Sequence, residues 1–405
     1  MRYNLRVSYR DTVVPQSYNT IVLGLGAMGS ATTYQLAKRG DKVLGIDRHN
    51  PPHTLGSSHG GSRITRQAIG EGVEYTPLAL RSYEIVQELE SLTGNQLLLS
   101  CGGLMISNKN TKGVHHVQNF FETTVAAAKI HNIKYETLEP ADIRKRFPVF
   151  KVSDSEYAYY EPAAGVLFPE TCIKTQLDVA RSNGAAIHTG ETVLNFEETK
   201  NGVKVKTDQA EYTANQLIIT AGPWLPELLK EHPALAAHFS IARQVMYWFD
   251  IKSHYDSFKP GTFPIFIWEG HDDLASSYGM PALDGPDGGF KTASPQFNEI
   301  VTPDTVNREI TQAEIDAIYN QQVQRCFDGV SNKCLRSAVC MYTDTSDSRF
   351  VIDKLPGSKA IIVASPCSGH GFKHSPAVGE CLAELALFGK SKLDISGFEM
   401  AAVKN

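Results

Sequence analysis

Thr20-Ile21-Val22-Leu23 runs into Gly24-Leu25-Gly26-Ala27-Met28-Gly29, and the next apolar run, Lys42-Val43-Leu44-Gly45-Ile46, ends on Asp47. The order is strand, glycine turn, helix, strand, which is the opening of a dinucleotide-binding βαβ unit. Gly24 permits the tight turn, Gly26 lets backbone amides approach a pyrophosphate, and Gly29 lets the helix lie close to the strand. The pyrophosphate then sits at a helix N-terminus, where unpaired N–H groups and the helix dipole favour negative charge. Asp47, eighteen residues beyond Gly29, falls where a carboxylate accepts from a pair of ribose hydroxyls. That acid favours an unphosphorylated ribose, and by itself the motif leaves NAD and FAD both open.

A chain of 405 residues can bury a large core and suggests two or three domains. No apolar run is long enough to span a bilayer, and the first seventeen residues lack an apolar signal region. The expectation is a cytoplasmic protein with a short N-terminal extension and no membrane partner. With 39 basic against 44 acidic residues and a net charge of −5, no basic block is present, which argues against nucleic acid as a partner. The 7 cysteines have no CxxC spacing and the 13 histidines no HExxH, so neither a disulfide framework nor a metal site is expected.

Periodicity predicts helices over Ser30–Arg39, closed by Gly40, and over Pro77–Leu92, Gln118–His131 and Pro376–Phe388. Short strands are expected at 186–188, 191–194, 203–206 and 217–219, with a hairpin across 198–202, and another strand at 360–364. Between about 241 and 300 the chain is rich in aromatic and β-branched residues broken by Pro- and Gly-rich turns, which suits an antiparallel sheet. The fold expected is two-domain α/β. A Rossmann-like nucleotide domain is assembled from 18–95, 150–235 and 330–395; an antiparallel-sheet substrate domain takes 96–149 and 236–329; residues 1–17 form the extension.

Among residues able to carry chemistry, Arg63 and Arg66 share a face if their segment is helical or turned, either as a carboxylate clamp or as two surface cations. Lys373 closes the glycine-bracketed turn Ser368-Gly369-His370-Gly371-Phe372-Lys373, where amides and a helix start make an electropositive ledge. Lys291 follows Gly288-Gly289-Phe290 and reads as a surface residue unless the sheet folds it inward. Cys340, among apolar neighbours, reads on its own as inert filling, and Tyr278 and Tyr342 suit core or pocket equally.

Taken together, the glycine turn, Pro51-Pro52-His53-Thr54, Ser58-His59-Gly60-Gly61-Ser62-Arg63-Ile64-Thr65-Arg66, Gly70-Glu71-Gly72, Cys340-Met341-Tyr342-Thr343 and the Ser368-to-Lys373 turn resemble the monomeric sarcosine oxidase and N-methyltryptophan oxidase group of flavoprotein amine oxidases. The resemblance extends over about residues 18–395. It implies FAD attached through a thioether to Cys340, with Gly24, Gly26, Met28, Gly29, Asp47, Val193, Gly369, Gly371 and Phe372 as further cofactor contacts. It implies that Arg66 and Lys373 bind the substrate carboxylate, that Tyr278 and Tyr342 line the substrate pocket, and that Arg63 and His59 lie near the flavin ring. Lys291 would be the cation that activates oxygen.

The implied reaction oxidises the C–N bond of a secondary amino acid, N-methyl or cyclic, with hydride passing to flavin N5 and O2 leaving as hydrogen peroxide. Its imine hydrolyses to an aldehyde and an amine. Three departures fall on the substrate side: Gly61-Ser62 where the group has Asp-Thr, Thr292-Ala293-Ser294-Pro295 in place of a segment holding a pocket histidine, and a longer 281–289 loop. Sarcosine, a larger N-methyl amino acid and a cyclic imino acid all remain open as substrates. The competing readings are an FAD-dependent dehydrogenase with another electron acceptor, a flavin-binding protein without amine turnover, and an NAD-dependent enzyme.

Overall fold

The computed structural model describes residues 16–108, 117 and 119–400. The strand Gln16–Leu23 lies at the centre of an eight-stranded sheet, parallel to Glu211–Ile219 on one side and to Val43–Asp47 on the other. Ala186–Thr189 extends the parallel run beyond Val43–Asp47, while Ile361–Ser365 joins the far side of Glu211–Ile219. Val193–Thr199 and Gly202–Thr207 add an antiparallel hairpin at one edge, where the sequence placed its break. Strands buried on both faces read as near-continuous Val, Ile and Leu runs, as Ile21-Val22-Leu23 and Ile361-Ile362-Val363 do.

Ala27–Lys38 starts three residues earlier than its periodicity suggested, because the turn is complete at Gly26 and the helix begins inside the glycine motif. Thr76–Thr93 and Ser375–Phe388 extend their expected spans slightly. Phe120–Ile130 is shorter than expected, and Gln118 lies outside the described residues. The expected extension falls almost wholly outside them too, and the first strand already begins at Gln16.

A second eight-stranded sheet runs in the order 330–345, 239–251, 290–293, 277–280, 265–268, 103–108, 156–161, 136–138. It is antiparallel except that Ile265–Trp268 lies parallel to Gly103–Asn108, which the aromatic pattern could not reveal. Val330–Thr345 and Glu156–Glu161, expected with the nucleotide half, are hydrogen-bonded into this second sheet. Its outer face is filled by a cluster of Phe150, Phe258, Phe263, Phe266, Phe290 and Phe327 in edge-to-face and stacked contact. A small sheet of Arg63–Thr65, Leu98–Ser100 and Gly165–Leu167 completes the strands. Among the described residues no helix is long and apolar enough to cross a membrane.

Candidate active site

The glycine turn is set by crowding. Gly24 has φ +87°, and an added Cβ there would lie 2.7 Å from the Thr220 carbonyl oxygen; at Gly29 it would lie 1.7 Å from the Gly24 oxygen. At Gly26, by contrast, an added Cβ would meet only Ser58 Oγ at 3.9 Å, and no side chain caps the helix it starts. The first-turn amides are therefore available to an external anion. Asp47 Oδ2 accepts from the Leu25 N–H at 2.7 Å and Oδ1 from the His49 N–H at 2.8 Å. Each oxygen retains capacity for a hydroxyl donor, so the acid is oriented by the turn and still open to a ribose.

From this turn a cavity with about 1660 Å³ of empty space, solvent at its mouth included, reaches across to the second sheet. Gly24, Gly26, Met28 and Asp47 line it, together with Cys340, Gly369, Gly371 and Phe372, as do Arg63, Arg66, Tyr278, Lys291, Tyr342 and Lys373. The nucleotide turn and the reactive side chains therefore share one enclosure. Val193 does not line it; that residue begins an edge strand and its side chain joins the apolar cluster under the sheet. His59 is buried just behind the wall, where burial first and the Arg63 charge second push it down to about 3. It is a neutral imidazole across the physiological range.

Arg63 and Arg66 do not share a helical face. Arg63–Thr65 is a strand against Gly165–Leu167, so the two side chains part. Arg63 donates to the Ser57 and Ser62 carbonyls at 2.7 and 2.9 Å. Arg66 is 0% exposed and lies over the Phe120 ring, 5.0 Å from its centroid. The turn after it is fixed by Glu161, whose carboxylate accepts from the Gln67 and Ala68 N–H groups at 2.6 and 3.1 Å.

Glu71, from Gly70-Glu71-Gly72, has a role in the site that its sequence motif does not announce. Arg66 Nη2 donates to Glu71 Oε2 at 2.5 Å, and Lys373 Nζ lies 3.9 Å from Glu71 Oε1. Burial alone would raise this carboxyl, but the Arg66 and Lys373 charges overcome it and hold it well below the usual carboxylate range. Lys373, in turn, is lowered to about 8 by burial, against the pull of Glu71. An internal carboxylate thus sits between the two cations that the resemblance assigns to a substrate carboxylate.

Lys291 donates to the Gly60 and Ser62 carbonyls and meets the Ser62 hydroxyl, all within 2.8–2.9 Å, and lies 5.0 Å from the Trp248 ring centroid. Burial, then the Arg63 charge, pushes its amine well below the ordinary lysine range. The strand register that pairs Lys291 with Trp248 and Met280 turns it inward. Gly60, with φ +97°, brings its carbonyl to the lysine, and Glu170 holds the loop by accepting from the Gly60 and Gly61 amides at 2.7 and 3.1 Å. This is the loop where the sequence departs from the expected Asp-Thr pair.

Cys340 is a free, buried thiol on Val330–Thr345, pushed up by burial although Arg63, Lys291 and Arg308 oppose the shift. Tyr278 and Tyr342 meet hydroxyl to hydroxyl at 3.2 Å. Burial pushes Tyr278 up to about 12 and Tyr342 well above its ordinary value, so both stay phenols. Among the described residues no group of His, Cys, Asp and Glu could hold a metal ion.

The chain is similar to known proteins over most of its length. Residues 19–385 match a family model, DAO, described as FAD dependent oxidoreductase. The chain is 39% identical over 384 residues to a monomeric sarcosine oxidase of Streptomyces avermitilis, covering 95% of this chain and 97% of the relative. It is 33% identical over 384 residues to an N-methyl-L-tryptophan oxidase of Yersinia pestis, covering 95% and 99%. Among solved structures, NikD, an amino acid oxidase essential for nikkomycin biosynthesis, superposes with a TM-score of 0.79 at 22% identity, covering 95% of this chain and 97% of that one. An L-proline dehydrogenase from P. horikoshii follows at 0.76 and 19%, with the same coverage. At those identities the structural likeness speaks to the fold alone.

Proposed function

The chain belongs to the DAO family of FAD-dependent oxidoreductases, and from that premise we propose that it is an amine oxidase acting on the C–N bond of a secondary amino acid. The observation that carries the reading is the single cavity shared by an uncapped glycine turn, Cys340, a buried Arg66–Lys373 pair and the two phenols. An open Gly26, a free helix start and an oriented Asp47 fit the adenine and pyrophosphate end of FAD. Bound there, FAD would supply the hydride acceptor that no side chain can provide.

Arg66 and Lys373 bind the substrate carboxylate, two buried cations fixing one anion and thereby orienting the carbon that is oxidised. Glu71 keeps those cations partnered until substrate arrives. Tyr278 and Tyr342, held as neutral phenols, give the amine nitrogen hydrogen-bond partners without adding charge, and burial of the pocket favours the neutral amine whose lone pair the reaction needs. Cys340 would hold the cofactor through its sulfur, with the Arg63 charge opposing the burial that raises its thiol. Lys291 serves the oxygen half-reaction. Its charge is disfavoured at rest, and an anion forming beside it restores the ammonium, stabilising the reduction of O2.

Anaerobic mixing with sarcosine, N-methyltryptophan, proline and pipecolate tests this directly. Bleaching of flavin absorbance by at least one, followed in air by peroxide matched to turnover, supports the reading. Bleaching without peroxide points to a dehydrogenase, and no bleaching by any secondary amino acid overturns amine turnover altogether.

A further inference from the structure

The strand Ile265–Trp268 pairs Ile267 with Tyr278 on one side and with Met105 on the other. Residues directly opposite in a sheet share a face, and successive residues alternate. Met105, Ile267 and Tyr278 therefore form one row on the face where Ile267 and Tyr278 line the cavity. Two residues further along, the same face carries Ser107, Glu269 and Ser276. The chains stay adjacent there: the Glu269 N–H donates to the Ile106 carbonyl at 2.9 Å and the Gly270 N–H to Ser276 Oγ at 2.9 Å. Ser276 itself lines the cavity.

An apolar row thus gives way to a polar one, and at its centre is Glu269, a residue 2% exposed. Ser107 hydrogen-bonds one side of Glu269, while Oε1 has no partner. A buried acceptor without a donor is costly and calls for an explanation. Burial, with the Glu122 charge on the overlying helix Phe120–Ile130, pushes the carboxyl up to about 7, in keeping with a group kept dry beside an apolar site.

We propose that Glu269, flanked by Ser107 and Ser276, is a specificity site that accepts a hydrogen bond from an N–H or O–H group at the far end of the substrate's side chain. The favoured substrate class is then a secondary amino acid whose apolar side chain ends in a donor. The inference rests on the amine oxidase reading for its substrate, and on the sheet register for its position.

The test uses the flavin-loaded enzyme with an isosteric pair, N-methyltyrosine and N-methylphenylalanine, and with sarcosine as a substrate too short to reach. Wild type should prefer the tyrosine derivative in kcat/KM by roughly tenfold or more, as expected when one substrate satisfies a buried acceptor and the other leaves it bare. Glu269→Met should bring that ratio to near one and leave sarcosine turnover unchanged, whereas Glu269→Gln, which keeps a carbonyl acceptor, should retain the preference. A wild-type ratio near one, or equal losses on all three substrates in Glu269→Met, overturns the proposal. Binding of 4-hydroxyphenylacetate against phenylacetate, read as a flavin absorbance shift, needs no turnover. Tighter binding of the hydroxylated acid with no amine oxidised sustains the specificity site and refutes the amine oxidase reading; equal binding refutes the site.

Discussion

Asp344→Asn should flatten the pH dependence of stability. Asp344 follows Cys340 and Tyr342 on alternate positions of Val330–Thr345, is 7% exposed, and has no partner for either carboxyl oxygen. Burial pushes its carboxyl from 3.8 up to about 7. The sign follows from proton linkage. Below the unfolded value the group is protonated in both states and costs nothing. As pH rises through the interval, the unfolded chain releases its proton while the folded one keeps it, so stability falls by about 1.4 kcal/mol per unit. Above the folded value both states are ionised and the penalty is constant. A little over three units makes the full penalty about 4 kcal/mol, an upper bound because the folded site relaxes around the charge. Urea unfolding of wild type and variant at half-unit steps from pH 4 to pH 8 measures it. The stability difference should grow in favour of Asn across that range and level off near its top; an amide left unpaired shifts the whole curve without changing its slope. Parallel curves for the two proteins would refute the reasoning.

Cys340→Ser should release all its flavin on acid precipitation, while wild type keeps its colour in the pellet; retention of bound flavin by the variant sinks the thioether assignment. Replacing Lys291 by Met should slow reoxidation of the reduced enzyme by on the order of a hundredfold or more, the scale set by removing one preorganised stabiliser of a developing anion, with flavin reduction far less affected. Stopped-flow traces of both half-reactions read this, and equal losses would remove the lysine from the oxygen step. Glu71→Gln leaves Arg66 and Lys373 without their internal anion, so a carboxylate inhibitor such as acetate should bind on the order of tenfold tighter, about 1.4 kcal/mol. Unchanged or weaker inhibitor binding would show that Glu71 does not compete for the clamp.

What could be read from the chain was the chemistry that is local. The glycine turn, its strand and Asp47 are contiguous, and each glycine answers to a steric demand a few residues away. The first helix starts before its apolar periodicity because Gly29, a poor helix former, sits in its first turn, yet the turn that orients it is complete before Ala27. Arg63 and Arg66 share a face only if their segment is helical or turned, and a three-residue strand removes that condition, since the strand exists only through its pairing with Gly165–Leu167. The roles of Glu71 and Glu269 are not legible in the sequence because they depend on Lys373 and on Ser107 and Ser276, brought close by tertiary structure rather than spacing. Cys340 taken alone read as filler; the cavity it faces is assembled from segments that no window of sequence contains.

The helix Ala27–Lys38 is covered by Ser375–Phe388, so closely that a side chain at Gly379 would collide with Ala31. The two helices lie far apart in the sequence. During synthesis on the ribosome, the glycine turn therefore emerges well before the Gly369-to-Lys373 wall and the covering helix, and waits with its apolar flank bare. A cofactor pocket that needs both walls is complete only once the later helix has folded back onto the earlier one. The nascent chain relies until then on other means of keeping that flank from wrong partners.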